Sequence, residues 1–160
     1  MRRLALLTLA ALTLSTTAFA PAFGGDYRVG GVEARRPWTR PAQAGMNGVG
    51  YLTLANIGKK PIKLVAVESP AAKSVTVHQS SMTGGVMAMR PVTGLTIAPG
   101  AKVEFAPGGY HLMLLGLNSA QARGGKVPVT LVFDGGLKVK IDLSVETGPP
   151  KADPMAGMKH

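Results

Sequence analysis

No cysteine occurs in this chain of 160 residues. Disulfides therefore add nothing to its stability, and a hydrophobic core must suffice alone. About 120 residues are enough to bury one. The absence also removes the thiolate that a blue-copper electron-transfer centre requires. Acidic residues are scarce, eight against eighteen Lys and Arg. No paired carboxylates stand in an apolar context, no Ser/His/acid arrangement has workable spacing, and no glycine-rich phosphate loop precedes a helix. These absences point to a binding protein and away from an enzyme. The net charge of +10 is scattered, and no basic run exceeds two residues. Nucleic-acid binding needs a concentrated patch, so no nucleic-acid partner is expected. A solvated basic surface is the default, and attraction to an acidic partner or to anionic lipid is the weaker option.

Long apolar runs are absent beyond the N-terminus, where Arg2 and Arg3 precede Leu4 to Leu14 and small or hydroxyl residues continue to Ala20. That run is too short to span a bilayer comfortably and reads as a secretory signal peptide over residues 1–22. Ala18-Phe19-Ala20 and Ala20-Pro21-Ala22 both fit the small-x-small rule, so cleavage after Ala20 and after Ala22 both stand. Removing Arg2 and Arg3 lowers the net charge from +10 to +8.

Residues 23–147 read as one β domain of short strands and strong turns. Candidate strands are Arg28–Arg35, Gly48–Ala55, Ile62–Glu68, Ser74–His78, Val86–Pro91, Lys102–Phe105, His111–Leu115, Lys126–Phe133 and Leu137–Val145. Asp134-Gly135-Gly136 has hairpin chemistry, because Asp-Gly tolerates positive φ. Asn118 to Arg123 has room for one helical turn. Such spacing predicts an all-β, antiparallel sandwich or barrel. Trp38, with no aromatic partner nearby in sequence, is expected to anchor the core near its rim.

Chemistry concentrates between His78 and Met113, a stretch with two of the three histidines and four of the eight methionines. His111 and Met113 stand two apart in a strand-like run, so they share a face while Leu112 and Leu114 face the core. The segment before them folds as a hairpin of open register. A turn symmetric about Thr83 and Gly84 pairs His78 with Met89; a turn centred on Gly84-Gly85 pairs His78 with Pro91 and denies that contact. Two imidazoles and two thioethers make a soft, neutral set suited to Cu(I), whereas zinc more often recruits thiolates or a carboxylate. Taken singly, each Met is more often packing and each His a satisfied polar residue. Met82 and Met87 are spare thioethers beside the site, read as core or rim packing. Met46 sits in a glycine-rich loop within conceivable reach.

The spacing His78, ten residues, Met89, twenty-one residues, His111-x-Met113 resembles the copper motif of the periplasmic PCuAC copper chaperones. The surrounding GVMAMRPV, APGG and HLMLLGL are similar too, as are RPWTRP, GYLTLAN and VTLVFDGG. Some members carry Met directly after the first His, where this chain has Gln79. The resemblance implies a cupredoxin-like Greek-key β-barrel in the periplasm. It implies Cu(I) held by His78, Met89, His111 and Met113. It further implies delivery to the binuclear copper centre of cytochrome c oxidase, on subunit II or beside Sco-type proteins. Residues 148–160, rich in Pro and Gly and without apolar periodicity, are expected to form a flexible tail carrying Met155, Met158 and His160. In the family, Met/His-rich tails are implicated in a second copper, so the resemblance makes this tail a candidate secondary site, with Cu(II) as its expected ion. The chain is thus expected to be a monomeric copper chaperone. Copper sequestration without an acceptor, and a metal-free secreted β-sandwich module, are the alternatives.

Overall fold

The structure, a computed structural model, describes residues 25–150. The expected signal peptide and the tail residues Met155, Met158 and His160 lie outside the described residues. The strands are β1 Tyr27–Val29, β2 Val32–Thr39, β3 Gly48–Asn56, β4 Ile62–Glu68, β5 Ala72–Thr83 and β6 Val86–Pro91. They continue as β7 Leu95–Ile97, β8 Lys102–Phe105, β9 Tyr110–Leu117, β10 Lys126–Phe133 and β11 Lys138–Val145.

Alternation explains most of these strands. In β11, Val139, Ile141 and Leu143 turn inward while Lys138 and Lys140 face solvent. In β9, Leu112 and Leu114 are fully buried, as the sequence predicts. With Leu54, Leu131 and Phe133 they form one continuous core.

Eight strands close into a barrel in the order β5, β9, β8, β3, β2, β11, β10, β4, and the Val67–Val75 pairing joins β4 back to β5. This is the expected cupredoxin-like, all-β barrel. Pairing is antiparallel except between β2 and β11 and between β8 and β9. β1, β6 and β7 lie outside the ring, on β2, β5 and β4.

Several local expectations are corrected. The expected strand Arg28–Arg35 is two strands, because Gly30 and Gly31 take φ of 57° and 82° and turn the chain between Val29 and Val32. Such positive φ is cheap only for glycine. β7 is not among the expected strands, since three residues offer too short a pattern to read. Asn118 to Arg123 is not helical; Gln121 instead bridges to Ala42. The only helical segment among the described residues is the short 3₁₀ turn Asp134–Gly136 that joins β10 to β11. Trp38 is buried as expected, but it has an aromatic partner: Tyr51 lies directly across the β2–β3 ladder, with ring centroids 4.8 Å apart.

Candidate metal centre

The site is built on β5 and its two neighbours, β6 and β9. Gly84 and Gly85 close the β5–β6 hairpin with φ of 60° and 78°. A two-residue turn of this kind needs positive φ at both central residues. A Thr83–Gly84 turn would force β-branched Thr83 into that region, which costs about 1–2 kcal/mol. The turn therefore settles on the glycine pair. His78 lies opposite Pro91, Ser80 opposite Met89, and Met82 opposite Met87. The symmetric register, with His78 facing Met89, is overturned.

The common face survives the shift. Opposed residues share a face, and so do residues two apart along a strand. Met89 is thus on the face of His78 as its diagonal neighbour, a separation of roughly 7–8 Å that long side chains can span. On the other side of β5, His111 lies directly opposite His78. Their rings meet edge to face, with centroids 5.8 Å apart and planes at 77°. Met113 lies opposite Thr76 on β5 and Val49 on β3, one step further along the same face. The two histidines are therefore flanked by Met113 on the barrel side and Met89 on the hairpin side. His111 is buried, Met113 and His78 are half-buried, and Met89 is 54% exposed.

Each imidazole is steered by the residue two places before it. His111 Nδ1 lies 3.2 Å from the Gly109 carbonyl oxygen. A carbonyl only accepts, so Nδ1 carries the proton and Nε2 keeps its lone pair. The same oxygen accepts the Ser80 N–H at 3.0 Å, which ties β5 to the turn before β9. That turn is held by Gly109 N–H donating to the Ala106 carbonyl at 3.0 Å. His78 Nε2 lies 3.3 Å from the Thr76 hydroxyl. With Nε2–H donating there, Nδ1 keeps its lone pair.

The two remaining ring nitrogens, His78 Nδ1 and His111 Nε2, are buried and have no hydrogen-bond partner. Buried polar atoms without partners are rare and cost about 1–3 kcal/mol each. Two of them, on facing rings with thioethers on either side, fit a soft metal ion. No group of three or more His, Cys, Asp or Glu able to hold a metal occurs among the described residues. Next to the two histidines, the side chains on this face that offer a soft donor are Met89 and Met113.

Thr76 and Gly109 were missed in the sequence as orienting groups. Their signal was positional, since each precedes a histidine by two. Met82 and Met87, read as packing, are exposed at 68% and 59% and do not pack. Met46 is also exposed, and its carbonyl accepts from Leu117 N–H at the far end of β9 from His111.

Residues 32–145 match the LpqE-like family, whose members are described as lipoproteins. A Leifsonia xyli protein named as a lipoprotein is 32% identical over 131 residues, covering 81% of this chain and 76% of its own length. Among solved structures, the apo PCuAC domain from PmoF1 is similar, with 29% identity and a TM-score of 0.64 over 77% of this chain and 99% of that domain. The copper-bound PCuAC domain from PmoF2 shares 27% identity, with a TM-score of 0.64 over 77% of this chain and 98% of that domain. The Cu(I) form of DR1885 from Deinococcus radiodurans shares 28% identity, with a TM-score of 0.55 over 71% of this chain and 78% of that one. The PCuAC resemblance read from the His and Met spacing is thereby borne out.

Proposed function

The chain belongs to the LpqE-like family with a PCuAC-type fold, and from that premise we propose that it is an exported copper chaperone. It binds Cu(I) through His78 Nδ1, His111 Nε2 and the thioethers of Met89 and Met113. The observation that carries this reading is the pair of buried, unpartnered ring nitrogens on one face, flanked by those two methionines. Imidazole and thioether are neutral, soft donors, and a monovalent ion needs little charge compensation. The similar PCuAC domain from PmoF2 has been solved with copper bound, and DR1885 as a Cu(I) form.

The site is asymmetric, and that asymmetry suits transfer. His111 and Met113 sit on a barrel strand and fix the inner side, whereas Met89 sits on the outlying strand β6 and is open to solvent. An incoming donor from an acceptor protein would displace Met89 first. The ion then leaves by ligand exchange, remaining Cu(I) throughout, so no electron or proton donor is required. The acceptor we propose is the binuclear copper centre of cytochrome c oxidase, reached directly or beside a Sco-type protein, with the chaperone acting as a periplasmic monomer and not as an enzyme.

The test is an anaerobic Cu(I) titration of the mature chain against a chromophoric chelator, alongside the His78→Ala/His111→Ala variant. Tight one-to-one binding in the parent, lost in the variant, is the expected result. Equal competition by both proteins would remove the histidines from the site. No competition by either would end the copper reading and leave a metal-free β module.

A further inference from the structure

The β5–β6 hairpin exposes more apolar side chain than its place in the fold explains. Met82, Val86, Met87 and Met89 are 68%, 67%, 59% and 54% exposed, and they account for half of the large hydrophobic residues that face solvent among the described residues. None of them joins the core cluster. Each forgoes much of the stabilisation that burying such a side chain contributes. Edge strands are usually guarded by charge, yet β6 carries only Arg90, and no acidic residue lies between His78 and Pro91.

The register gives these methionines a common direction. Met82 lies directly opposite Met87, and Met89, two residues further along β6, lies opposite Ser80. All three therefore project from the face that carries His78 and His111. Opposed partners have Cβ atoms about 4.5–5.5 Å apart, and the next pair along lies about 7 Å away. The thioethers of Met82 and Met87 can converge on one ion, with Met89 within reach on the inner side.

We propose that Met82, Met87 and Met89 form a second, outer site for a soft monovalent cation, Cu(I) or its redox-inert counterpart Ag(I). The absence of acidic oxygen donors makes the site a poor host for Ca²⁺ or Mg²⁺, which demand them. Thioethers select Cu(I). Met89 belongs to both the outer site and the histidine site. An ion held outside therefore moves inward by exchanging Met82 and Met87 for His78 and His111 while Met89 stays bound. Only coordinate bonds change, and the ion keeps its charge. The inward step rests on the copper reading above; the outer site itself does not.

The experiment is a titration of the full mature chain, labelled with carbon-13 at the methionine ε-methyl groups, with Ag(I) and then anaerobically with Cu(I). Residue-resolved methyl signals separate the hairpin from Met155 and Met158. We expect the first equivalent to move Met113 and Met89, and further ion to move Met82 and Met87 together. In His78→Ala/His111→Ala the Met82 and Met87 signals still move, now from the first equivalent. In Met82→Leu/Met87→Leu, a change confined to exposed side chains, the first equivalent still moves Met113 and Met89, and the total ion bound falls by one equivalent. Met82 and Met87 signals that stay in place under excess Ag(I) would overturn the outer site and leave the hairpin as a protein-docking face. Failure of the histidine site looks different: Met82 and Met87 would respond while Met113 never does.

Discussion

Thr76 and the Gly109 carbonyl do not touch the proposed ion, yet each holds the ring nitrogen that is turned away from it. Groups that orient metal-binding histidines typically change affinity by about 10–100-fold when removed. Thr76→Val keeps the side-chain shape and deletes the hydroxyl bonded to His78 Nε2. We expect Cu(I) affinity to fall within that range, with thermal unfolding nearly unchanged. Competition against a chelator, paired with a melting curve, reads both; unaltered affinity would mean that Thr76 does not steer the ring. Met113→Ala should weaken Cu(I) binding and leave the fold intact, because Met113 is only half-buried. A Met113→Ala chain that binds as tightly as the parent would show that this thioether is not a ligand. Met89→Leu should chiefly hasten release to a chelator, since Met89 is the most exposed of the four.

Strand β6 behaves as an element appended to the barrel, because it pairs only with β5. Its register depends on Gly84 and Gly85, where an added Cβ would meet nothing within 4 Å. The cost of Gly84→Ala is therefore conformational alone, about 1–2 kcal/mol for a left-handed residue. That cost frays the hairpin and loosens Met89 while the barrel stays closed. We expect weaker Cu(I) retention with little change in Tm, and Gly84→Asn, which tolerates positive φ, should restore much of it. Gly50 makes the opposite case. It lies in β3 opposite Leu112, and a Cβ there would come within 2.8 Å of a Leu143 methyl and 3.3 Å of Leu112 Cβ. Gly50→Ala overpacks the core beneath the site, at about 1–3 kcal/mol. Chemical denaturation should show a lower midpoint; an unchanged midpoint would mean that Leu143 gives way freely.

Acid stability of the whole molecule should depend on Glu33, a fully buried carboxylate in β2. It is bonded to Arg35 Nε at 2.6 Å and paired with Arg28 across the β1–β2 turn. Burial alone would raise its pKa, but the hydrogen bonds and charges of Arg35 and Arg28 outweigh burial and hold it below the ordinary value of 4.5. The folded state thus favours the ionised form. That stabilisation is present above the unfolded pKa and is lost as pH falls through the lower folded value. Both guanidiniums are well exposed, so the pair is worth less than a fully buried one, about 1–3 kcal/mol. Glu33→Gln should lower Tm at neutral pH, and the gap to the parent should narrow below about pH 4. A constant gap down to pH 2 would show that the carboxylate charge contributes nothing. Deleting residues 151–160 should leave the histidine site intact and remove only copper bound by Met155, Met158 and His160. Unchanged stoichiometry would free the tail of any copper role.

Much of this was legible in the chain because strand periodicity is local. Alternation put His111 and Met113 on one face and Leu112 and Leu114 in the core without knowledge of any neighbouring strand. Glycine and Asp-Gly turns marked most strand ends for the same reason, and the His and Met spacing carried the family. Where two strands meet is a different matter. The contact between His78 and His111 exists because barrel closure lays β9 beside β5, and no residue near either histidine specifies that. The hairpin register turned on which two residues could accept positive φ, and Thr83 could not. The unpartnered nitrogens depend on Thr76 and Gly109, and the exposure of Met82, Met87 and Met89 depends on β6 lying outside the ring. Short-range patterns set each residue's face, whereas long-range packing set its partners, its burial and the atoms left free to bind an ion.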